Sequence, residues 1–460
     1  MIARSKTLCT SRVENLLRRV QTTQVVRNHG RVVQLIGLVI ESEGPLVAVG
    51  EICRIESARH DGSTLAEVVG FRNHHVLLMP LGEHRGIHPG SEVIALGTAL
   101  RVPVGEQLKG RVLDGLGNPL DEQGPVRAGD QAALHLQPPH PLRRQRIRQS
   151  FQTGIKALDT LVPCGRGQRL GIFAGSGVGK STLLGMIASQ AEADVNVIAL
   201  IGERGREVRE FMEKDLDEAG RRKSVVVVAT SNQPALARVK GAFAAMTIAE
   251  YFRNKGQNVL LMMDSVTRFA MAQREIGLAV GEPPTTRGYT PSVFSLLPQL
   301  LERAGAGERG SITGLFTVLV EADDMNDPIA DSVRSILDGH VVLTRELATQ
   351  NHYPAIDVLE SVSRLTRDLT TIAQQKISAL ARESLATYRK NQDLINIGAY
   401  PPGTNAAIDS SIQLHEPLKA FLQQPAGQGF TTAQSWALLG KIMDAPPPAK
   451  PAPAGIKKGP

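Results

Sequence analysis

The sequence predicts an α/β protein with a small N-terminal β-barrel, a central domain with a mainly parallel sheet, and a C-terminal helical domain. Between residues 25 and 100, short runs rich in β-branched residues alternate with Gly, Pro, Asn or Asp at the spacing of a small barrel. From 151 to 364 the apolar runs become continuous and mostly alternate with helical segments, as in strands that helices cover on both faces. Residues 365–444 read as helical.

The remaining boundaries follow from turn residues and composition. Residues 101–150 contain a turn-rich stretch (GRVLDGLGNPLD) and a stretch rich in Pro and Arg, which we interpret as a linker. Residues 1–24 are basic and mildly amphipathic, and we interpret them as a segment for partner binding and oligomerisation; a transit peptide is the alternative. Residues 445–460 are rich in Pro and Lys and predict a disordered tail.

Composition limits the class of protein. Hydrophobic residues make up 42% of the chain and charged residues 21%, as in soluble globular proteins. The three cysteines, Cys9, Cys53 and Cys164, are too scattered for a disulfide framework or a zinc site, and they suit a reducing cytoplasm. No apolar run approaches the roughly 18 residues of a membrane helix, and the N-terminus lacks the apolar core of a secretion signal.

The net charge of +7 raises the question of a nucleic-acid partner. Residues 1–150 contain a single aromatic residue, Phe71, so this part of the chain offers no platform on which single-stranded bases would stack. We therefore expect no nucleic-acid partner.

A glycine-rich loop connects a predicted strand, RLGIF, to a predicted helix, TLLGMIASQ. Glycines let backbone N–H groups approach phosphate oxygens, and the helix N-terminus adds a favourable dipole. The predicted nucleotide-binding positions are Ala174, Gly175, Ser176, Gly177, Val178, Gly179, Lys180, Ser181 and Thr182. In this pattern Lys180 supplies a charge for the β- and γ-phosphates and Ser181 offers its hydroxyl to Mg²⁺. The pattern predicts a nucleoside-triphosphate site, although its first position is Ala174 instead of Gly.

Two acidic residues, Asp264 and Glu203, stand at the C-terminal ends of other apolar runs. Asp264 ends NVLLMMD, where a ligand for Mg²⁺, through a water molecule, belongs. Glu203 ends VNVIALIGE and is a candidate general base for the attacking water; a structural glutamate at a helix N-terminus is the alternative. Spacing does not distinguish phosphate contacts from surface charges for the arginines that follow, Arg204, Arg206 and Arg209.

Two other patterns do not predict sites. Residues 305–310 match the dinucleotide pattern G-x-G-x-x-G, but they precede a strand instead of following one. His84 and His88 have the spacing of a helical metal pair, but Gly86, Pro89 and Gly90 exclude a helix there.

Several long blocks together resemble a known family. They are AGSGVGKST, GERGREVREF, VLLMMDSVTRFAMAQREIG, EPPTTRGYTPSVFSLLPQLLERAG and HYPAIDVLESVSR. They resemble the catalytic subunit of type III export ATPases, relatives of the catalytic β subunit of rotary ATP synthases. The resemblance spans residues 31–422, and DGLGNPLD, RLGIFAGSGVGKSTLLGMIA and DLINIGAYPPGTN are most similar to the flagellum-specific members.

This resemblance implies a RecA-like P-loop NTPase domain in a homohexameric ring that uses ATP with Mg²⁺, each nucleotide lying between neighbouring subunits. It assigns Lys180 and Ser181 to phosphate and Mg²⁺, Asp264 to the strand-end acid and Glu203 to the catalytic carboxylate. Arg204 and Arg268 match arginines near the γ-phosphate, and Tyr353 matches the aromatic residue that packs on adenine. Arg364 matches an arginine finger that acts on the adjacent subunit's nucleotide; residue patterns alone would make it a surface arginine.

The resemblance also implies partners and a place in the cell. They are a stator-like regulatory protein at the N-terminus, a central stalk facing the loop 281–291, export chaperones with their substrates, and a membrane export gate. We expect a cytoplasmic protein peripherally associated with the inner membrane. The acidic coupling segment (DELSEED) of the rotary β subunit is not visible between residues 365 and 425, which favours export over ATP synthesis.

Three alternatives stay open at this point. The ATPase of a virulence injectisome shares nearly every motif. A ring-shaped RNA translocase shares the nucleotide core, but the scarcity of aromatic residues in the N-terminal part opposes it. A non-catalytic ring subunit should lack a water-activating acid, and Glu203 opposes that interpretation.

Overall fold

The computed structural model describes residues 28–56, 62–126, 129–320 and 324–444. The predicted segment 1–24 and the predicted tail 445–460 lie outside the described residues. The chain divides into two compact units between Leu100 and Arg101, and each unit has a hydrophobic core.

The first unit is a closed barrel of six strands in the order β1-β2-β5-β4-β3-β6. The strands are β1 (His29–Ile36), β2 (Val39–Glu43), β3 (Glu51–Glu56), β4 (Ser63–Arg72), β5 (His75–Pro80) and β6 (Glu92–Ala99). Alternate residues such as Ile55, Val68 and Leu78 fill the interior, since successive side chains of a strand point to opposite faces. Asn73 and His74 both have positive φ in the tight turn between β4 and β5. The predicted barrel is confirmed.

The second unit is built on a nine-stranded sheet with the order β17-β16-β10-β15-β13-β11-β12-β8, in which β14 pairs with β15. Its strands are β8 (Val112–Asp114), β10 (Arg169–Ala174), β11 (Val195–Ile201), β12 (Ser224–Ala229), β13 (Asn258–Asp264), β14 (Gly305–Ala306), β15 (Ser311–Leu319), β16 (Gly339–Leu343) and β17 (Ile356–Ser363). All pairs are parallel except β14–β15 and β16–β17. Every residue of β11 and β12 is buried, as the continuous apolar runs predict.

Helices cover this sheet. They are α1 (Lys156–Leu161), α2 (Lys180–Gln190), α3 (Gly205–Glu210), α4 (Glu218–Arg222), α5 (Ala235–Asn254), α6 (Val266–Val280), α7 (Pro291–Leu301), α8 (Pro328–Ile336), α9 (Arg345–Thr349), α10 (Thr366–Leu369), α11 (Ile372–Asn396), α12 (Ala406–Leu422) and α13 (Thr432–Met443). The last four, α10 to α13, lie in the predicted helical region, residues 365–444. Both α11 and α13 begin with a capping box. Across the described ranges, no helix is both long and apolar enough to span a bilayer.

The predicted linker, residues 101–150, has more structure than its composition indicates. It includes β7 (Arg101–Val104) and β9 (Asp130–Ala133), which pair with each other, and β8, which extends the central sheet beside β12. A Cβ on Gly115 would lie 2.7 Å from the carbonyl oxygen of Ala237, so the glycine allows this segment to pack directly on α5. The turn-rich sequence therefore reflects close packing as well as connection.

Candidate nucleotide-binding site

The register of the parallel sheet brings three predicted segments to one edge. Ala174, the last residue of β10, pairs with Leu319 of β15. Asp264, the last residue of β13, pairs with Leu200 of β11, three residues before Glu203. Carboxyl ends of parallel strands meet at one edge, which is where open α/β sheets bind ligands. The phosphate loop, Glu203 and Asp264 therefore lie together.

The loop itself forms an open turn between β10 and α2. Gly177 and Gly179 have φ values of 80° and 86°, a backbone conformation that favours glycine. A Cβ on Gly177 would meet no atom within 4 Å, and Ser176, Ser181 and Thr182 are exposed beside it. Ala174, Gly175 and Val178 are buried and anchor the turn. The helix starts at Lys180, so its N-terminus faces the space above the loop.

Lys180 lies between the two strand-end carboxylates. Its Nζ donates to Asp264 Oδ1 and lies 3.6 Å from Glu203 Oε1. Asp264 Oδ1 also accepts a hydrogen bond of 2.7 Å from Thr317 Oγ1, a buried side chain on β15. All three ionisable side chains are at most 12% exposed, so water screens their interactions weakly.

Glu203 has the electrostatic environment of a base that works near neutral pH. Burial, a hydrogen bond with Glu207 and the charge of Asp264 raise its pKa to about 7, against the opposing charge of Lys180. The same hydrogen bond lowers the pKa of Glu207. The two glutamates therefore titrate as a pair that shares a proton. Oε1 of Glu203 is buried and has no hydrogen-bond partner among the described residues.

The oxygen ligands at this edge fit a magnesium–nucleotide complex. Ser181 presents an exposed hydroxyl at the start of α2, and Asp264 provides a carboxylate at the end of β13. Within the described part of the chain, no three His, Cys, Asp or Glu side chains cluster as ligands for a metal ion. Mg²⁺ commonly takes one or two protein oxygens and completes its shell with phosphates and water, so two oxygen ligands suffice.

The two arginines predicted near the γ-phosphate differ in position. Arg268, on α6, packs against the backbone of Gly202, the residue before Glu203. A Cβ on Gly202 would be only 2.6 Å from Arg268 Cβ. Its buried Nε has no hydrogen-bond partner in the described structure. Arg204 is 72% exposed and lies 3.6 Å from Glu207 Oε1 at the margin of the site.

Tyr353 lies directly beside the phosphate loop. A Cβ on Gly179 would be 3.3 Å from both Cδ1 and Cε1 of its ring. The ring is 42% exposed, so part of its surface is free to contact a flat ligand. This position suits a base whose phosphates lie in the adjacent loop.

Arg364 lies at the opposite edge of the sheet. The backbone N–H of Arg364 donates to the carbonyl oxygen of Asp338. The backbone N–H of Asp338 donates in turn to the carbonyl oxygen of Arg169, at the start of β10. The loop begins at the other end of β10, five residues further on, or about 16 Å at the usual rise of a strand. The exposed guanidinium donates to Arg334 O at 3.4 Å. Within one chain, the structure does not bring Arg364 together with the other predicted site residues.

Two side chains of the site are missing from the sequence-based prediction. Thr317 orients Asp264, and its signal is a hydroxyl residue in the apolar C-terminal half of a strand, SITGLFTVL, which also contains Ser311 and Thr313. Glu207 shares a proton with Glu203, and its signal is the four-residue spacing that crosses the first turn of α3. Neither signal is specific without the fold.

Known families match all three parts of the chain. The nucleotide-binding domain of the ATP synthase alpha/beta family matches residues 154–363, and the beta-barrel domain of that family matches residues 32–97. The T3SS EscN ATPase C-terminal domain matches residues 370–441.

Individual relatives match over nearly the whole chain. The flagellum-specific ATP synthase of Bacillus subtilis is 53% identical over 94% of this chain and 99% of its own length. The type 3 secretion system ATPase of Xanthomonas euvesicatoria is 49% identical over 93% and 97%. The solved structure of assembled EscN, an ATPase of the enteropathogenic E. coli type III secretion system, is 46% identical and superposes with a TM-score of 0.86, covering 90% of this chain and 100% of EscN. The chain therefore belongs to the ATP synthase alpha/beta family, among the ATPases of flagellar and type III secretion systems.

Proposed function

We propose that this ATPase energises protein export through the type III apparatus that builds the flagellum, unloading and delivering export substrates. The observation that carries the proposal is the convergence of Lys180, Glu203 and Asp264 at one edge of the sheet, in a chain whose C-terminal region matches the domain of a type III secretion ATPase. That edge supplies the hydrolysis, and the C-terminal match ties it to export.

The proposal gives each side chain a role in hydrolysis that is compatible with its position. The loop N–H groups and Lys180 hold the phosphates, and Tyr353 packs on the base. Glu203 orients the attacking water and accepts its proton. Asp264, fixed by Thr317, and Ser181 would hold Mg²⁺, which when bound neutralises phosphate charge. Arg268, beside Gly202, and Arg204, at the margin of the site, would support the negative charge that develops around the γ-phosphate.

Arg364 completes this site from a neighbouring subunit of a homohexamer. Its exposure and its distance from its own phosphate loop support an action on a second chain, since an arginine added in trans neutralises charge in the transition state. A relative, EscN, has been solved as an assembled ATPase and in complex with its central stalk EscO. By the same likeness, the loop 281–291 faces a central stalk, and residues 1–24 bind a stator-like regulatory protein. Export chaperones with their substrates and a membrane export gate are the further partners.

A rate measurement tests the shared site. ATPase activity is measured against protein concentration with Mg²⁺ and without nucleic acid, while the oligomeric state is sized in parallel. We expect the rate per subunit to climb steeply as oligomers appear. A constant rate from a monomer would remove the ring and the role of Arg364.

Flagellar export and injectisome secretion are separated by complementation. The likeness of DGLGNPLD and DLINIGAYPPGTN to the flagellum-specific members supports the flagellar duty. Overall identity does not separate the two duties, because it is 45–53% to flagellum-specific relatives and 47–49% to secretion ATPases. We expect the chain to restore motility to its source bacterium after deletion of the chromosomal copy. Unchanged motility of the deletion strain, with loss of secretion into host cells, would assign the injectisome instead.

A further inference from the structure

Gln424 is a buried polar residue just after α12, outside the site described so far. It is 3% exposed, and its side-chain amide makes hydrogen bonds to backbone groups alone in the described structure. Its Oε1 accepts from the N–H of Lys156 at 3.0 Å, and its Nε2 donates to the carbonyl oxygens of Gly154 at 2.8 Å and Gln428 at 2.7 Å. One amide thus fastens the turn after α12 to the segment before α1.

The backbone of the same residue holds Tyr353. The N–H of Gln424 donates to the carbonyl oxygen of Tyr353 at 2.9 Å. The ring of Tyr353 lies against Gly179, the last glycine of the phosphate loop. The contacts that hold Gln424 in place therefore also hold Tyr353, whose ring is the proposed surface for the nucleotide base.

The other end of this connection reaches the helix that follows the phosphate loop. A Cβ on Gly154 would be 2.5 Å from Cβ of Gln190, the last residue of α2. The contacts therefore form a closed circuit. It leads from the end of α2 through Gly154, Gln424 and Tyr353 back to Gly179, at the start of the same helix.

Lys156 reinforces the circuit. Its Nζ donates to the carbonyl oxygen of Gln423 at 2.9 Å and lies 5.3 Å from the ring centre of Phe421 and 4.9 Å from that of Phe430. A cation over aromatic faces stabilises the turn from its other side. The segment before α1 and the turn after α12 are therefore joined by polar and cation–π contacts at once.

We propose that Gln424 is a positioning residue for the nucleotide base, an inference that rests on the proposed role of Tyr353. Removing its side-chain amide leaves the buried N–H of Lys156 without its acceptor, which such groups tolerate poorly. The carbonyl of Gly154 loses the shorter of its two hydrogen bonds and keeps the one from the N–H of Phe430 at 3.2 Å. The turn then shifts and carries Tyr353 away from Gly179. Affinity for the base falls, while the phosphate loop keeps its own contacts.

The test compares Gln424→Ala and Gln424→Glu with Gln423→Ala, in the full chain. Gln424→Glu keeps the acceptor for Lys156 and loses both donors. Gln423→Ala changes a half-buried neighbour that contributes a backbone carbonyl to the circuit, and it removes a single long side-chain hydrogen bond, of 3.5 Å, to Asn351 O. For each protein, kcat and KM are measured with ATP, inhibition is measured with Mg²⁺–tripolyphosphate, and the thermal midpoint is recorded.

We expect both Gln424 variants to raise KM for ATP about tenfold, with kcat within about twofold and inhibition by tripolyphosphate unchanged. Gln423→Ala should match the unaltered chain. An unchanged KM in both variants overturns the proposal, and so does an equal loss of affinity for ATP and tripolyphosphate, which a merely structural role would produce. If Gln424→Ala does not fold, Gln424→Glu decides by the same criteria.

Tyr353→Ala separates this inference from the proposed function. If Tyr353→Ala raises KM for ATP and the Gln424 variants do not, the proposed role of Gln424 is wrong. The role of the Tyr353 ring as the surface for the nucleotide base (the base platform) is then retained. If Tyr353→Ala leaves KM for ATP unchanged, the base platform is wrong, and the role of Gln424 falls with it.

Discussion

The two edges of the central sheet carry opposite kinds of site. At the carboxyl edge, Lys180, Glu203 and Asp264 are nearly buried and contact one another. At the other edge, Arg364 is exposed and bonds a single carbonyl oxygen through its side chain in the described structure. Strand length fixes the distance between the edges. This difference fits the proposal that one chain supplies the groups that bind phosphate and activate water, while its exposed arginine acts on the nucleotide of another chain.

The largest effect is expected at the buried edge, for Lys180→Ala. The loop loses its one side-chain charge toward the phosphates, and Asp264 and Glu203 lose the cation between them. We expect turnover to fall by at least about 1000-fold in a steady-state ATPase assay. Lys214→Ala, at a position 72% exposed, is the matched control and should change turnover little. Retention of a tenth of the activity by Lys180→Ala would refute the assignment of the carboxyl edge.

The exposed edge is tested by Arg364→Ala. We expect a loss of turnover of about 1000-fold with nucleotide binding retained, because the arginine acts on the transition state. Arg367→Ala, at a neighbouring exposed position, is the control.

Mixing the Lys180→Ala and Arg364→Ala subunits tests whether the two edges act across a subunit interface. Lys180→Ala and Arg364→Ala subunits are each inactive alone, yet a mixed ring contains interfaces with an intact phosphate loop and an intact arginine. We expect activity to return on mixing. Its absence from mixed oligomers of normal size would show that Arg364 does not act in trans.

Replacing Glu203, the proposed general base, is expected to lower turnover somewhat less than replacing Lys180. Glu203→Gln keeps the size of the side chain but cannot accept a proton, so turnover should fall by about 100- to 1000-fold. Binding of nucleotide, measured by fluorescence titration, should stay within about threefold of the unaltered chain. Glu218→Gln, on the surface of α4, is the control. Normal turnover of Glu203→Gln would leave this residue a structural glutamate at the start of a helix.

Tyr353 also lies at the buried edge, but its proposed role is to bind the nucleotide base and not to take part in hydrolysis. Tyr353→Ala should raise KM for ATP about tenfold, since stacking of a base on an aromatic ring contributes about 1–3 kcal/mol. Tyr353→Phe keeps the ring and should behave like the unaltered chain. If both substitutions raise KM equally, the ring surface does not bind the base.

The smallest effect is the pH dependence of the free enzyme. The pKa of Glu203 is raised to about 7, so below that pH the side chain is mostly protonated and cannot act as a base. The value of kcat/KM should therefore rise about fivefold between pH 6 and pH 7 and level off above pH 8. In Glu207→Gln the proton is no longer shared between two carboxylates, and the midpoint should move to lower pH. A profile that is flat from pH 6 to pH 8 would contradict this role.

The predictions that rest on local signals concern the phosphate loop, the strand-end acids, the barrel and the sheet, and the structure confirms the barrel and the sheet. The phosphate loop needs glycines, a lysine and a hydroxyl residue in one short segment, and the strand-end acids follow directly from the apolar runs before them. The barrel and the buried sheet follow from periodicity. The site roles of Arg204, Arg268 and Arg364 came from resemblance alone, because an arginine carries no periodic signal.

Other features required contacts between distant segments. Thr317 meets Asp264 because the register of β13 and β15 aligns them, and no local pattern encodes that register. Gln424 reaches Gly154 and Lys156 across roughly 270 residues of chain. Its importance lies in buried backbone partners, which the sequence does not display.

By itself, the sequence determined which chemistry this chain can perform. Backbone freedom at glycines, the charge of one lysine and carboxylates that follow apolar strands are local signals that predict phosphate binding and water activation. The tertiary structure alone decided how those groups are distributed. Parallel pairing gathers Lys180, Glu203 and Asp264 at one edge, where burial raises the pKa of Glu203. The antiparallel strand β17 leads to Arg364 at the other edge. Strand length fixes the distance between the two edges, whereas strand register decides which residues meet at each edge, and register is a property of the fold.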